Sequence, residues 1–296
     1  MAELNRHKRQ VLRQIQEHFN TTRKRRGVLF EQASTVDVYH HPRDTAALYN
    51  YITPRRGVAW VPGKDVKFGL DRLAELERIP RLELVKGLFP PAFHAQMEKL
   101  GLEVESDYPL LTYGIVPNCD QTPPDVRPVP PASRDLAVYG VADQNGVARW
   151  ISLNLEGQQP DAAEVRKVWD NVLRGHEMYF LVSHELTLAG GASVILNPPV
   201  AQIQCADTLM PYRRRGVASA AIRMALQFAQ AKDCSLIFMV GTSSAATHLY
   251  RRLGFVDLDN VITYCRPPAA EHDNSHQLES DPLHARNVAQ PVPPRR

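Results

Sequence analysis

The stretch Cys205–Leu258, CADTLMPYRRRGVASAAIRMALQFAQAKDCSLIFMVGTSSAATHLYRRLGFVDL, decides how this chain is read. An apolar strand, Val200–Leu209, runs into a tight basic turn, Arg213-Arg214-Arg215-Gly216, and a helix over Val217–Lys232 begins at once. Its first residues, Val217, Ala218, Ser219, Ala220 and Ala221, are small. A helix N-terminus offers free N–H groups and a partial positive charge. Gly216 and Ala218 let a phosphate reach the backbone, and three arginines add forked donors. The pattern is an anion site suited to a diphosphate. It is neither a P-loop nor a dinucleotide fingerprint, because GxxxxGK[ST] and GxGxxG are both absent.

Downstream come a strand at Ser235–Val240, a helix at Ser244–Leu253 and a last strand near Val261–Cys265. Upstream, Leu136–Val141 and Ala148–Leu155 read as strands, and Asp161–Leu173 reads as a helix between Pro160 and Gly175. Met178–Leu188 reads as a strand that turns at Gly190-Gly191 into Ala192–Leu196. Residues 117–131, PNCDQTPPDVRPVPP, hold six prolines and read as an extended linker, taken to span 117–134. Before it, Gly57–Val61, Leu82–Val85 and Leu110–Val116 read as strands, alternating with helices at Val66–Leu76 and Phe93–Leu100. From Pro267 onward the chain is polar and aperiodic, and a disordered tail is expected. Strands alternating with helices imply α/β layering.

The 296 residues are 44% hydrophobic and 23% charged, which excludes a disordered or fibrous chain. No apolar run is long enough to span a membrane, and the N-terminus lacks a signal-peptide core, so a cytoplasmic protein is expected. Cys119, Cys205, Cys234 and Cys265 are too dispersed for a zinc site, and no metal is expected. Of the net charge of +3, residues 1–26 carry +6, so the body is not basic. In that basic segment Leu4, Val11, Leu12, Ile15 and Phe19 share a helical face ahead of Arg23-Lys24-Arg25-Arg26. Two readings fit: an arm for RNA or an anionic surface, and an amphipathic helix docked on the body with a solvated basic turn. Short basic runs are common at termini, which favours the docked helix.

The stretch resembles the acyl-CoA core of the GCN5-related N-acetyltransferases (GNAT). That family carries [QR]-x-x-G-x-[GA] where a strand meets a helix, matched here by Arg213-Arg214-Arg215-Gly216-Val217-Ala218. It often shows N-x-x-A-x-x-L-Y-x-x-x-G-F downstream. Ser243 through Phe255 follows that pattern at Ala246, Leu249, Tyr250, Gly254 and Phe255, with Ser243 in place of Asn. The six-residue pattern alone is weak; Pro54-Arg55-Arg56-Gly57-Val58-Ala59 misses it only at its first position. The second motif, 25 residues beyond Ala218 across an apolar strand, makes the combination specific.

The resemblance covers 135–266. It implies a mixed, mostly antiparallel sheet flanked by helices. Residues 29–116 have a similar late order of elements, and read either as a degenerate GNAT-like half or as an unrelated α/β extension. The resemblance also implies acetyl-CoA as co-substrate. Arg213, Arg214, Arg215, Gly216, Val217, Ala218 and Ser219 would lie at the pyrophosphate, with Ser243 and Ala246 at the second coenzyme contact. Thr208, Leu209 and Met210 would lie beside the acetyl group, where their N–H groups could polarise the thioester carbonyl. Tyr250 would lie near the coenzyme sulfur. A phenol with an ordinary pKa of about 10 stays protonated at neutral pH and suits the acid that meets the leaving thiolate. Asp207 is the first candidate base, sharing a strand face with Cys205 and Leu209 by simple alternation. His176, His184 and Glu185 are others, and a water chain could replace a side-chain base. Trp150 is a candidate acceptor wall, and Arg251-Arg252 reads as a solvated face.

The expected activity is transfer of acetyl from acetyl-CoA to a primary amine, on a small molecule or a protein, by direct attack. The rivals are a non-catalytic acyl-CoA sensor and an RNA-directed protein using residues 1–26.

Overall fold

The computed structural model describes residues 2–58, 60–114, 135–154 and 160–267. Residues 1–266 make one compact unit; the second unit, from 267 on, is described only at Pro267. The expected linker (117–134) and disordered tail therefore lie outside the described residues.

In the first half, α1 (Ala2–Arg25) is followed by β1 (Leu29–Ala33), β2 (Val36–His40), β3 (Tyr51–Pro54), α2 (Gly63–Glu75), β4 (Arg81–Val85), α3 (Pro91–Lys99) and β5 (Glu103–Tyr113). The second half comprises β6 (Leu136–Gly140), α4 (Gln144–Asn154), α5 (Ala162–Leu173), β7 (Glu177–His184), β8 (Thr187–Asn197), β9 (Val200–Thr208), α6 (Val217–Ala231), β10 (Leu236–Val240), α7 (Ser244–Arg252) and β11 (Phe255–Cys265). All eleven strands form one sheet in the order β1-β2-β3-β4-β11-β5-β10-β9-β8-β7-β6.

One connection pattern occurs twice. β1, β2 and β3 run antiparallel, and β3 joins β4 in parallel across α2. Likewise β7, β8 and β9 run antiparallel, and β9 joins β10 in parallel across α6. A helix, α3 or α7, then leads to a long final strand, β5 or β11. These final strands are exchanged. β5 lies between β10 and β11, and β11 lies between β4 and β5, every contact antiparallel. The halves therefore share one continuous ladder, rather than packing as separate domains at 29–116 and 135–266.

Alternation along the central strands gives both faces a core. On β10, Ile237 and Met239 pack with α6 and α7, while Leu236 and Phe238 pack with α1. Leu82 and Leu84 of β4 pack with α2 and α3, and Tyr179 and Leu181 of β7 with α4 and α5. The register puts α2, α3, α6 and α7 on one face and α1, α4 and α5 on the other.

The basic N-terminal segment is a docked helix. Val11, Leu12, Ile15 and Phe19 are buried against Leu110, Phe238 and Val261, each such side chain contributing about 1.5–3 kcal/mol. Its basic end is not the solvated turn expected from sequence. Arg23 is buried 2.6 Å from Glu83, and Arg26 lies 2.8 Å from Glu177. Arg25 donates to the Leu196 carbonyl and to Asn197 Oδ1, both at 2.8 Å. Lys24 sits over the Phe30 ring at 3.6 Å. These four cations hold the helix to the sheet.

Three local expectations are corrected. Ala148–Leu155 is not a strand: Val147, Trp150 and Ile151 fall at helical spacing and bury one face of α4. The described residues of Gly57–Val61 are not in a strand, and the strand is Tyr51–Pro54 just before them. Gly190-Gly191 is not a turn but lies inside β8, the turn being Glu185-Leu186, both with left-handed φ (49° and 68°). The two glycines are there for space. A Cβ on Gly191 would overlap the Phe180 carbonyl and the Trp150 ring, and one on Gly190 would overlap the Asp207 carbonyl. Trp150 is accordingly a packing residue, buried 5.2 Å from the Tyr179 ring, and not an exposed wall.

Candidate active site

The sheet opens where β9 and β10 part. Their parallel pairing runs from Val200/Leu236 only to Gln202/Phe238, while β9 continues beside β8 to Thr208. Ile203 through Thr208 are therefore not paired with β10, and the ladder is open on that edge of β9. Ile203 and Met239, one from each strand, share a core cluster with Ile222 and Ala225 of α6 and Tyr250 of α7, with Ala246 packed against it.

A bulge shapes the end of β9. Ser193 lies opposite Gln204 and Gly191 opposite Asp207, so Cys205 and Ala206 together oppose Ala192. The extra residue breaks the simple alternation expected to carry from Cys205 to Asp207. Past the bulge, Leu209 donates its N–H to the Ala189 carbonyl at 2.9 Å. Antiparallel pairing alternates the direction of successive N–H groups, so the N–H of Thr208, opposite Gly190, points away from β8 toward the open edge. Of the candidate donors beside an acetyl group, Leu209 is thus engaged in the fold and Thr208 is directed into the opening. Met210 begins the short turn Met210–Tyr212 and is exposed.

The basic turn comes next. Arg214 and Gly216 have left-handed φ of 64° and 85°, and Gly216 is the N-cap of α6 with no side-chain cap. The first intrahelical bond at this end is Ala220 N–H to the Gly216 carbonyl, leaving the N–H groups of Val217, Ala218 and Ser219 without helical partners. Arg213, Arg214 and Arg215 are exposed, and among the described residues none forms an ion pair. Arg213 Nε approaches the Thr208 carbonyl at 3.5 Å, and Arg215 reaches His184 Nε2 at 3.5 Å.

Asp207 lies at the end of β9, exposed to solvent. The protein around it still raises its carboxyl above the ordinary value by desolvation, with Arg213 pulling the other way. No cation lies within ion-pair distance of Asp207 among the described residues, so it is not a structural carboxylate paired to arginine. The other candidate bases diverge. Glu185 is in the exposed β7–β8 turn. His184 lies beside Arg215 and Tyr212, near the basic turn. His176 lies past the opposite end of β7, five residues from Leu181, which is in register with Gly191; that is about 17 Å from the level of Asp207.

On α7, Ser243 is the N-cap and its hydroxyl accepts from the Ala246 N–H at 3.2 Å. The residue standing in place of Asn therefore has a structural task. Tyr250 is buried on the same helix, its ring 6.2 Å from Phe255. Arg251 holds Asp257 through two hydrogen bonds of 2.9 and 3.0 Å, and Arg252 is exposed. Among the described residues no His, Cys, Asp or Glu cluster could hold a metal ion, and no helix is long and apolar enough to cross a membrane.

Residues 145–255 match the acetyltransferase (GNAT) family, and no curated protein matches the chain. Among solved structures, a GCN5-related N-acetyltransferase from Kribbella flavida is 18% identical, with a TM-score of 0.66 over 87% of this chain and 96% of that one. One from Sphaerobacter thermophilus is 12% identical, with a TM-score of 0.54 over 78% and 76%. A tandem GNAT protein from the clavulanic acid biosynthesis pathway is 14% identical, with a TM-score of 0.51 over 79% of each chain. At such identities the likeness is one of fold, and it extends over both halves of the sheet. Residues 145–255 are thus similar to the acetyltransferase (GNAT) family, and the sheet that holds them shares the fold of the GCN5-related N-acetyltransferase structures.

Proposed function

We propose that the protein is an acetyl-CoA-dependent N-acetyltransferase acting on a primary amine. Residues 135–266 form the catalytic half and 29–116 a degenerate GNAT-like half without the full pyrophosphate motif. The observation that carries this reading is the parting of β9 and β10 beside the uncapped α6 N-terminus and its three exposed arginines. An extended acyl thioester placed where the strands part would set its diphosphate on the N–H groups of Val217, Ala218 and Ser219, with Arg213, Arg214 and Arg215 around it. Its carbonyl would meet the Thr208 N–H.

In the reaction the neutral amine attacks the thioester carbon. A C–N bond forms, the oxyanion is held by Thr208, and the C–S bond breaks as it collapses. Asp207, directly or through water, takes the proton lost by the amine, and Tyr250 gives one to the departing thiolate. The products are an amide and free thiol.

Thermal unfolding with and without acetyl-CoA tests the binding step. Ligand at about 100 times its dissociation constant adds about 2.7 kcal/mol, or several degrees in a chain of this size. Adenosine alone should give no shift. Thiol release across an amine panel tests turnover, and Tyr250→Phe should lower it with little change in coenzyme affinity. Binding with no thiol release from any amine would leave an acyl-CoA sensor. No shift at millimolar acetyl-CoA would remove the reading.

A further inference from the structure

We propose that the first half carries a second ligand site, for a phosphorylated small molecule of nucleotide size, in the cavity between α1, the turn after β3 and the β8–β9 turn. The cavity measures about 640 Å³, within the range of small-molecule sites. Four arginines line it: Arg9 and Arg13 from successive turns of α1, and Arg55 and Arg56 from the turn after β3. Glu17 is the one acid in the lining among the described residues.

Two of the four arginines have no carboxylate partner among the described residues, and the other two hold theirs loosely. Arg13 is exposed and forms no ion pair among the described residues. Arg9 donates to the Leu88 carbonyl at 3.2 Å, a contact that leaves its charge uncompensated. Arg56 is 82% exposed and only 3.7 Å from Glu17, and Arg55 lies 3.4 Å from Asp37. Four guanidinium groups around one concavity repel each other, and a multivalent anion removes that cost. Arg23 and Arg26 are buried against carboxylates at 2.6 and 2.8 Å, whereas Arg55 and Arg56 hold theirs at 3.4 and 3.7 Å and Arg9 and Arg13 have none among the described residues.

The rest of the lining suits the organic part of such a ligand. Gln10, Gln14 and Asn197 offer amides, and Val58, Phe89 and Pro199 offer apolar walls. Thr53, also in the lining, has a buried hydroxyl with no hydrogen-bond partner among the described residues.

The position has a structural logic. β3 and β4 are the parallel pair of the first half, as β9 and β10 are of the second. Each turn leaving the first strand of its pair carries Arg-Arg-Gly, with the glycine left-handed at φ 82° (Gly57) and 85° (Gly216). The two turns differ in how soon a helix begins. α6 starts directly after Gly216, whereas α2 starts only at Gly63. In the first half no helix N-terminus meets the ligand, and the side chains of α1 take its place. The β8–β9 turn closes the far wall, so the site draws on both halves of the sheet.

The test is calorimetric titration of the full chain with pyrophosphate and with ADP. It uses the wild type, Arg13→Ala/Arg56→Ala, and Arg214→Ala/Arg215→Ala. Both residues of the first pair are exposed, so the fold should survive, which circular dichroism checks. Removing them should weaken ADP binding by about tenfold for each guanidinium, at a site that persists in Arg214→Ala/Arg215→Ala protein and weakens with salt. ADP affinity equal in wild type and Arg13→Ala/Arg56→Ala protein would overturn the proposal. So would loss of all ADP binding in Arg214→Ala/Arg215→Ala protein, since the only phosphate site would then be that of the second half. A single-stranded RNA oligonucleotide that binds through Arg13 and Arg56 where neither pyrophosphate nor ADP does would overturn it in favour of a nucleic-acid surface.

Discussion

The backbone N–H of Leu209 donates to the carbonyl of Ala189 at 2.9 Å, and this bond fixes which N–H at the end of β9 is engaged by β8. Thr208 points the other way, toward the edge that β10 leaves unpaired. Proline at each position separates the roles, because it removes that position's N–H donor. Thr208→Pro should cost no bond to β8 and should lower kcat by about 10²–10³, the usual loss of one oxyanion donor. Leu209→Pro should lower the melting temperature. The opposite pattern in kinetics and melting would move the donor to Leu209.

Asp207 links activity to stability. Its folded carboxyl value lies above its unfolded one, because the surrounding protein disfavours the ionised form. The group's favourable contribution is therefore present below the unfolded value and is lost as pH rises through the folded value. Asp207→Asn should raise the melting temperature at pH 7, leave it unchanged near pH 3, and lower turnover. In the wild type the acid limb of kcat/KM should fall at a higher pH than an ordinary aspartate gives. A variant with full turnover would exclude Asp207 as base.

Gly216 is needed for its backbone conformation, not for packing. A Cβ there would meet only Leu136 Cδ1, at 3.8 Å, but φ is 85°. Gly216→Ala should cost about 1–2 kcal/mol from the left-handed conformation. Gly216→Val should also weaken acetyl-CoA binding more than tenfold. Equal affinity in both variants and the wild type would place the diphosphate elsewhere.

His18 is fully buried on α1, edge-on to Phe238, with neither ring nitrogen hydrogen-bonded among the described residues. Burial first, then the neighbouring Arg25, Arg23 and Arg26, push its pKa down to about 3. Above the ordinary value it is neutral in both states. As pH falls below that value the unfolded chain gains a proton that the folded chain refuses. Stability is then lost progressively down to about pH 3, by about 2 kcal/mol at pH 5. His18→Leu should remove this dependence and shift acid unfolding to lower pH. Superimposable acid-unfolding curves would show that the ring does not control it.

The segment Arg213–Ala218 and the run Ser243–Phe255 were legible in the sequence because their information is local. A left-handed glycine before small residues starts a helix with open N–H groups, and Ser243 caps α7 through Ala246, three residues on. The apolar periods of α2, α5, α6 and α7 are local too, and the sequence alone determined that the chain is an α/β protein with a basic turn at a helix N-terminus. Tertiary structure decided the rest. The exchange of β5 and β11 depends on pairings such as Val261 with Tyr108, far apart in the chain. The bulge at Cys205-Ala206, the direction of the Thr208 N–H and the need for Gly190-Gly191 depend on what lies across from β9 and β8. The charge run at 23–26 reads identically whether it faces water or carboxylates; only the fold brings Glu83 and Glu177 to it. Local spacing records what the backbone does within one or two turns. Which neighbour satisfies a hydrogen bond, fills a gap or neutralises a charge is a property of residues that the chain brings together only when folded.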